Sequence, residues 1–382
     1  MPLKVYIVFG TRPEAIKMAP VCHELLRDSK NFDVTICVTA QHREMLDQVL
    51  DIFGIIPDID LNLMKSGQDL SEITTSILSE MRKLFKKNKP DLVLVHGDTT
   101  TSFATALAAF YEKIEIGHVE AGLRTYDIHA PYPEEFNRQI ISKIANYHFA
   151  PTKTSQDNLV KEGVSKKNIF VTGNTVIDSL FWITKKSKNY IKSIEADISK
   201  KLNFDLLKSK YILITGHRRE NFGDGFINIC KSLTNLANNF SEINFVYPVH
   251  LNPNVQDPVK KYLSNVRNIF LIDPLEYEHF VHLLQNSYIV LTDSGGIQEE
   301  APSFGKPVLV MREVTERPEA VKAGTVKLVG SNQSNIEKSI SKLILDENEY
   351  KKMSLAHNPY GDGKSSSKIA NVLKKKLVST HV

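Results

Sequence analysis

Three acidic side chains in the first half of this 382-residue chain are predicted to lie just past the ends of strands. Asp98 lies in the string HGDTTT, Glu120 in GHVEAGLR and Glu134 in PYPEE. Parallel strands end at one edge of a sheet, so the three carboxylates are expected to face a common ligand. Carboxylates gathered in a closed cleft acquire different pKa values, which lets one act as a base while another acts as an acid. The pattern predicts proton transfer.

Two of these carboxylates also have a structural interpretation. Asp98 precedes a threonine-rich segment and would cap a helix there, which is the favoured interpretation when the residue is taken alone. Glu134 would be a first-turn partner of a helix dipole. Glu120 has no such alternative, because Ala-Gly-Leu-Arg follows it directly after a predicted strand.

The first predicted strand ends in a turn that suits an anionic group. Gly10 permits a tight backbone turn, and Arg12 brings a planar guanidinium to the N-terminus of the next helix. Both features favour phosphate binding. The alternative is an ordinary strand-to-helix turn with a solvated arginine.

A second candidate phosphate cradle lies in the string TDSGGIQEE. Gly295 and Gly296 allow close backbone approach, and Ser294 precedes the helix that they open. Glu299 or Glu300, one turn further on, would reach ribose hydroxyls. The alternative is a helix capped by Ser294 with acidic residues in its first turn.

A basic cluster follows the first strand of the second half. His217, Arg218 and Arg219 stand there in the string GHRREN. A titratable imidazole and two guanidinium groups suit a pyrophosphate and its developing negative charge. The alternative is a solvated basic turn.

Motifs for other cofactors are absent. The chain has neither GxGxxG nor a GxxxxGK[ST] P-loop, so neither a nicotinamide cofactor nor direct ATP chemistry is indicated. Cys22, Cys37 and Cys230 are far apart and form no CxxC pair, which argues against a disulfide framework or a zinc site. His279 and His282 lie on an apparent amphipathic helix without metal-site spacing. We expect no metal ion.

The elements that must position these residues alternate between short β-branched runs and amphipathic stretches. This alternation is typical of parallel sheets covered by helices. A lysine-rich, weakly periodic stretch over residues 184–210 separates two such series, and the second begins at Tyr211. The predicted fold is therefore α/β with two doubly wound sheets, and the ligand is expected between them at the carboxyl ends of the strands.

Charge and hydropathy exclude several classes of protein. A surplus of 4 positive charges argues against a dedicated nucleic-acid binder. No stretch approaches the ~18 apolar residues of a membrane span, and the first apolar run is too short for a signal peptide. We expect a cytoplasmic protein that binds neither nucleic acid nor membrane.

Five segments of the sequence resemble those of a known family. They are FGTRPEAIKMAP at residues 9–20, HGDTTT at 96–101, GHVEAGLR at 117–124, GHRREN at 216–221 and TDSGGIQEEAP at 292–302. In this order they closely resemble the non-hydrolysing bacterial UDP-N-acetylglucosamine 2-epimerases. The resemblance extends over about residues 4–365.

The resemblance implies a GT-B architecture, in which two Rossmann-like domains face a cleft. Residues 1–175 would form the first domain with the catalytic carboxylates, 176–363 the second domain with the UDP site, and 364–382 a C-terminal helix packed back on the first domain. It also implies interconversion of UDP-N-acetylglucosamine and UDP-N-acetylmannosamine by a homodimer without a redox cofactor or metal, for surface polysaccharide biosynthesis.

The family's functional positions carry over onto matching residues of this chain. The positions that match its catalytic residues are Asp98, Glu120, Glu134 and His217. The positions that match its substrate-binding residues are Arg12, Lys17, Phe280, Ser294, Gly295, Gly296 and Glu300. In some relatives a second substrate molecule binds as an activator, and the positions that resemble that site are Gln41, Arg218 and His250. Glu44 and Gly67 differ from the polar and basic residues found at this activator site in those relatives. The sequence therefore does not decide whether the substrate also acts as an activator.

The chemistry explains why several carboxylates are needed. The C2–H bond of the sugar has no adjacent carbonyl, so its proton leaves only as UDP departs from C1 and a 2-acetamidoglucal forms. Re-addition with protonation from the opposite face needs a second proton carrier. The alternatives are a hydrolysing 2-epimerase, a GT-B glycosyltransferase and a non-catalytic nucleotide-sugar sensor.

Overall fold

The computed structural model describes residues 1–39, 43–63, 67–186 and 188–377. The chain divides into two compact units, here called unit 1 and unit 2. Unit 1 comprises Met1–Trp182 and Tyr360–Val382, and unit 2 comprises Ile183–Pro359. The sequence-based division was placed at 175/176 and 363/364, whereas the compact units divide at 182/183 and 359/360.

Unit 1 is built on a parallel sheet of seven strands in the order β3-β2-β1-β4-β5-β6-β7. The strands are β1 Leu3–Phe9, β2 Phe32–Val38, β3 Ile59–Asp60, β4 Leu92–His96, β5 Glu115–Val119, β6 Tyr147–Ala150 and β7 Ile169–Val171. The strand order reverses between β1 and β4, which pair in register at Val5–Leu92 and Ile7–Leu94. Ligands of doubly wound sheets bind at such a switch point, beyond the carboxyl ends of the strands.

Helices connect these strands in unit 1. They are α1 Arg12–Arg27, α2 Arg43–Phe53, α3 Leu70–Lys87, α4 Thr100–Tyr111, α5 Glu134–Ile144, α6 Lys153–Lys161, α7 Thr175–Thr184, in which the division between units falls, and, at the end of the chain, α16 Ser365–Lys376. Their starts follow capping chemistry: Thr11 and Glu14 form a reciprocal capping box at α1, and Asp69 and Glu72 form another at α3.

Unit 2 repeats the topology with a six-stranded parallel sheet in the order β10-β9-β8-β11-β12-β13. The strands are β8 Tyr211–Thr215, β9 Asn244–Pro248, β10 Ile269–Ile272, β11 Ile289–Thr292, β12 Val308–Val310 and β13 Val326–Leu328. The helices are α8 Lys188–Lys201, α9 Asp224–Asn239, α10 Pro253–Leu263, α11 Tyr277–Asn286, α12 Gly295–Glu300, α13 Pro318–Ala323, α14 Gln333–Leu345 and α15 Glu347–Ser354. The switch point lies between β8 and β11.

The predicted α/β fold with two doubly wound parallel sheets is confirmed. Strands β4 and β11 are buried at every position, as a sheet covered on both faces requires. In unit 1 the core packs Val8, Val93 and Ala104 together, and in unit 2 it packs Ile214 and Leu291 against α9. Burial of such side chains supplies most of the stabilisation that opposes chain entropy.

The C-terminal helix α16 packs against α1 within unit 1. The Asp178 carboxylate accepts hydrogen bonds from the backbone N–H of Ser365 at 3.1 Å and of Ser366 at 2.8 Å, which caps the helix from another element. Lys374 pairs with Asp28 at 3.1 Å. A carboxylate at a helix N-terminus also interacts favourably with the helix dipole.

The structure adds elements that the sequence pattern did not predict. The lysine-rich stretch contains helix α8, which buries Ile194 and Ile198 four residues apart on one face. The short strands β3, β7 and β13 also went unpredicted, because two or three residues are too few to show periodicity. None of the helices among the described residues combines the length and apolar character that a bilayer crossing requires.

Candidate functional site

At the switch point of unit 1, the turn after β1 is packed tightly against the turn after β4. A Cβ atom added to Gly10 would lie 2.0 Å from Thr39 Oγ1 and 2.6 Å from Thr101 Oγ1. No side chain fits in this space, so the position requires glycine. The sequence predicts glycine here for a tight backbone turn, but Gly10 does not have a positive φ, and the close packing is what requires it. Arg12 begins α1 directly beyond this turn and is half-buried.

One buried carboxylate holds the two turns together. Glu14 Oε2 accepts hydrogen bonds from the N–H groups of Gly10 at 3.0 Å and Thr11 at 2.8 Å. Its Oε1 accepts from Thr99 Oγ1 at 2.6 Å and Ser102 Oγ at 3.0 Å. The sequence analysis missed this residue, although the spacing of Thr11 and Glu14 is that of a capping box.

Glu120 follows β5 with a positive φ of 63°, a conformation that is strained for a residue with a side chain. Its Oε2 accepts hydrogen bonds from Lys17 Nζ at 2.5 Å and Asn174 Nδ2 at 2.8 Å, and His96 Nε2 lies 3.7 Å away. Burial alone would raise the pKa of Glu120, but Lys17 and His96 outweigh it and hold the pKa well below its usual range. Glu120 is held as a carboxylate.

Asp98 lies past β4, beside the same group of charges. Thr99, not Asp98, caps α4, because the Thr99 hydroxyl accepts the N–H of Ser102 at 3.1 Å. The Asp98 carboxylate instead pairs with Arg138 at 2.8 Å. Burial raises the pKa of Asp98 and Glu120 adds to this, against the opposing effect of Arg138. The capping interpretation of Asp98 is therefore wrong.

The predicted place of Glu134 just past a strand end is wrong, because a loop separates it from β5 and it is the first residue of α5, the helix that also carries Arg138. Arg138 Nε donates to the Glu134 carbonyl at 3.3 Å while its Nη2 reaches Asp98. Glu134 Oε2 is buried and has no hydrogen-bond partner among the described residues. A buried carboxylate oxygen left in this state is available to a ligand or a proton.

Two buried histidines of unit 1 are held neutral. Burial lowers the pKa of His118 to about 3 and that of His148 to about 4. His118 Nε2 bonds the Gly97 carbonyl at 2.7 Å, which fixes the turn before Asp98. Both histidines therefore have structural roles.

At the switch point of unit 2, the turn after β8 is held by Asp293, which follows β11. Asp293 Oδ2 accepts hydrogen bonds from the N–H groups of His217 and Arg218, each at 2.8 Å. The His217 ring stacks on His250 with centroids 5.4 Å apart. Burial lowers the pKa of His217, Arg218 and His250 lower it further, and Asp293 opposes them.

Helix α12 begins directly after this carboxylate. Ser294 occupies the N-cap position, yet its hydroxyl makes no capping hydrogen bond. A Cβ atom added to Gly296 would lie 3.7 Å from Glu300 Oε1, so the Glu300 carboxylate lies beside this glycine. Glu299 is buried and paired with Arg317 at 2.8 Å. Of the two glutamates predicted as ribose ligands, Glu299 is therefore already engaged by an arginine.

Arg317 is a residue that the sequence analysis missed. A Cβ atom added to Gly295 would lie 3.3 Å from its Cζ and 3.4 Å from its Nη1, so the guanidinium lies directly beside the glycine turn. Glu299 and Glu316 hold it there, at 2.8 Å and 3.1 Å. The position of Arg317 after β12 could have indicated this, because β12 is the strand next to β11. An arginine beside free backbone N–H groups suits a phosphate.

The remaining predicted positions are placed as follows. Phe280 lies half-buried on α11. Of the positions that match an activator site, the structure brings Arg218 and His250 together around His217, as the stacking and pKa effects show. Gln41 lies outside the described residues. Gly67 is exposed with a positive φ of 77°.

One group of potential metal ligands comes together in the part of the chain that the structure describes: Glu276, Glu278 and His279 on α11 and its N-cap. Glu278 is already engaged by the Tyr190 hydroxyl and, at 3.6 Å, by Lys186 Nζ. Glu278 is therefore held between groups of α8 and its N-terminal approach, where α11 packs against α8.

Comparison with known proteins identifies the family. A family model described as UDP-N-acetylglucosamine 2-epimerase matches residues 24–374. A UDP-N-acetylglucosamine 2-epimerase of Campylobacter jejuni is 58% identical over 376 residues, which are 98% of each chain. The chain belongs to the UDP-N-acetylglucosamine 2-epimerase family. The enzyme of that name from Escherichia coli (strain K12) is 55% identical over 99% of this chain and all of its own.

Solved structures of this epimerase family share the fold. The crystal structure of the UDP-GlcNAc 2-epimerase from Neisseria meningitidis bound to UDP-GlcNAc has a TM-score of 0.88 and 53% identity, covering 98% of this chain and 100% of that one. A complex of the Methanocaldococcus jannaschii UDP-GlcNAc 2-epimerase with UDP-GlcNAc and UDP has a TM-score of 0.78 at 33% identity, over 98% and 100% of the two chains. The Rossmann-like, GT-B class of the fold is thereby confirmed.

Proposed function

We propose that this chain interconverts UDP-N-acetylglucosamine and UDP-N-acetylmannosamine and releases no free sugar. The main support for this proposal is that two carboxylates with opposite pKa shifts lie close together at the switch point of unit 1. Glu120 is held ionised by Lys17, and Asp98 takes up a proton more readily than an ordinary aspartate. Such divergence separates the roles of two carboxylates at one pH. Family membership supports the nucleotide sugar as substrate.

The proposed reaction proceeds by elimination and re-addition. A base takes the C2 proton, the C2–H electron pair forms the C1=C2 bond, and the C1–O bond breaks with its electrons leaving on UDP. UDP then adds back to C1 of the 2-acetamidoglucal, and C2 receives a proton on the opposite face. Because two faces of the ring exchange protons, two separately placed carriers are needed.

We assign the two carriers to Asp98 and Glu134. The raised pKa of Asp98 brings it closer to the operating pH, where proton transfer in both directions is efficient. Glu134 offers a buried carboxylate oxygen that has no hydrogen-bond partner among the described residues, on the helix whose Arg138 pairs with Asp98. This link through Arg138 between Asp98 and the helix of Glu134 is the physical basis for the assignment.

We assign Glu120 a fixed negative charge. Its low pKa makes it a weak base, but a carboxylate that stays ionised stabilises positive charge at C1 as the nucleotide departs. Only its Oε2 is engaged, by Lys17 and Asn174, and Oε1 has no hydrogen-bond partner among the described residues. Oε1 is therefore free to face the sugar, while Arg12 and Lys17 are proposed to bind the diphosphate.

In unit 2, we propose that the glycine turn and its neighbours bind UDP. Ser294, Gly295 and Gly296 offer a hydroxyl and backbone N–H groups, and Arg317 lies beside them with a fixed guanidinium. Glu300 is proposed to accept from the ribose hydroxyls and Phe280 to contact the base. His217 is proposed to donate from Nε2 to the departing diphosphate as the charged imidazolium, where a well-placed donor is worth about 10²–10³ in rate.

Incubation of the purified protein with UDP-N-acetylglucosamine in D2O tests the proposal. We expect phosphorus NMR to show an intact diphosphate sugar, and proton NMR to show UDP-N-acetylmannosamine with deuterium at C2. Stoichiometric release of UDP and free N-acetylmannosamine would instead indicate a hydrolysing epimerase. Transfer to an added acceptor would indicate a glycosyltransferase, and failure to exchange the C2 proton would leave a sensor.

We further propose that the enzyme acts as a homodimer, needs neither metal nor redox cofactor, and supplies surface polysaccharide biosynthesis. Light scattering should give twice the mass of one chain, and dialysis against EDTA should leave turnover unchanged. A second substrate molecule is proposed to bind near Arg218 and His250. Sigmoidal dependence of rate on substrate concentration would support that regulation.

A further inference from the structure

The side chain of Asp293 divides its two oxygens between two tasks. Oδ2 accepts the N–H groups of His217 and Arg218, and Asn221 Nδ2 lies 3.4 Å from it. Oδ1 points to the His217 ring, with Nδ1 3.4 Å away. Asp293 has no exposed surface, and its Oδ1 has no hydrogen-bond partner among the described residues. Burying a carboxylate oxygen without a hydrogen-bond partner costs free energy, unless a neighbouring group such as the His217 imidazole interacts with it.

This geometry has a chemical consequence for the imidazole. In a neutral imidazole one ring nitrogen carries a proton and the other does not, and the hydrogen bond at one nitrogen decides which. A carboxylate oxygen facing Nδ1 favours Nδ1–H, which directs Nε2 away from Asp293. Stacking on His250 restricts ring rotation at the same time. The ring is therefore constrained in orientation as well as in protonation.

We propose that Asp293 is a positioning residue that fixes the tautomer and the orientation of His217 during the reaction. The inference rests on the proposed function in one respect, the participation of His217 in turnover. Asp293 does not itself touch the substrate in this scheme. It acts through the imidazole, which it holds with Nε2 available and stabilises when the ring becomes charged.

The substitution Asp293→Asn isolates this role. An asparagine still places an oxygen at the N–H groups of His217 and Arg218, so the turn after β8 is kept. Its amide nitrogen then faces Nδ1 and donates to it, which leaves the proton on Nε2. We expect kcat to fall by at least about 10², as wrong-tautomer variants of buried aspartate–histidine pairs do, with little change in KM.

A double-mutant cycle separates positioning from a general structural role. If Asp293 acts through His217, then Asp293→Asn lowers kcat strongly in the wild-type background and by less than about twofold in the His217→Gln background. Equal losses in the two backgrounds would overturn the inference. Asp257→Asn, an exposed aspartate on α10 of the same unit, is the matched control and should change neither background.

Imidazole nitrogen NMR supplies a readout that needs no turnover. With 15N-labelled histidine and His217→Gln for assignment, wild-type His217 should show the Nδ1–H tautomer at high pH, and Asp293→Asn should show Nε2–H. The pKa of His217 should also fall in the variant, because Asp293 opposes the lowering by burial, Arg218 and His250. An unchanged tautomer would overturn the inference. If wild-type protein failed to epimerise UDP-N-acetylglucosamine while the tautomers differed as expected, only the proposed function would fail.

Discussion

The switch points of the two units share a topology and differ in chemistry. In each, a buried carboxylate ties together the turns that follow the two central strands. In unit 1 it is Glu14, on the helix after β1, which reaches Thr99 and Ser102 after β4. In unit 2 it is Asp293, after β11, which reaches back to the turn after β8. Each carboxylate joins the same two turns, but in unit 1 it comes from the helix after the first central strand and in unit 2 it follows the second central strand.

The remaining side chains give each edge its character. Unit 1 gathers Asp98 and Glu120 with the cations Lys17 and Arg138, so charges are balanced pair by pair. Unit 2 places Arg317, which is itself paired with Glu299 and Glu316, beside a glycine turn. The two sheets share a topology, so the side chains at each edge, and not the fold, determine which groups that edge can bind.

The largest expected effects are on the carboxylates of unit 1. Asp98→Asn, Glu120→Gln and Glu134→Gln should each abolish most turnover, by about 10²–10⁴, because each removes a proton carrier or a fixed charge. UDP affinity, measured by calorimetry, should change little. Asp51→Asn, exposed on α2, is the control. Near-wild-type turnover in any one variant would remove that residue from the assignment.

Substitution of Arg317 should produce the opposite pattern. Arg317→Lys keeps a charge near Glu299 but loses the planar fork, so we expect UDP to bind about 10-fold more weakly, in line with one charge-assisted hydrogen bond. Calorimetric titration with UDP gives the value. Arg267→Lys, at an exposed position of unit 2, should bind UDP like the wild type. An unchanged affinity in Arg317→Lys would show that unit 2 binds the diphosphate elsewhere.

Glu14→Gln tests whether the Glu14 carboxylate holds the turns after β1 and β4 together. The amide group offers one acceptor oxygen where the carboxylate offers two, so either Gly10 and Thr11 or Thr99 and Ser102 lose their partner. We expect a loss of about 1–3 kcal/mol in the free energy of unfolding, from urea titration. Glu80→Gln, on the surface of α3, serves as the reference. A loss under 0.5 kcal/mol would show that the turns hold without it.

The smallest expected effect is a change in pH dependence. The pKa of Glu120 is depressed in the folded state, so its contribution to stability is present above its unfolded pKa of about 4.3 and is lost as pH falls through the lower, folded value. The difference in unfolding free energy between wild type and Glu120→Gln should therefore be constant above about pH 5 and shrink below about pH 4. A difference that grows on acidification would contradict the low pKa.

Prediction from sequence succeeded where the signal was local. The strands β1, β4, β8 and β11 were predictable because their apolar runs are continuous, and the order of strand and helix implies parallel sheets. The start of α1 just after Gly10 and the start of α12 at Gly295 were predicted because glycine marks a change of backbone direction before a helix. The short edge strands and helix α8 were missed because their periodic signal is weak.

Prediction failed where function depends on partners distant in sequence. Spacing favoured Asp98 as a helix cap, but the structure gives the cap to Thr99 and pairs Asp98 with Arg138, 40 positions later. Arg317 lies 22 positions beyond Gly295 and was not foreseen beside it.

Local sequence is enough to specify the alternation of strands and helices, the positions of the turns and the acidic or basic residue at each turn, because these features depend on neighbours along the chain. Which charged side chains meet depends on the folded structure. Desolvation and Coulomb interactions act through space. The low pKa of Glu120, the raised pKa of Asp98 and the contact of Asp293 with His217 therefore exist only once the strands are assembled.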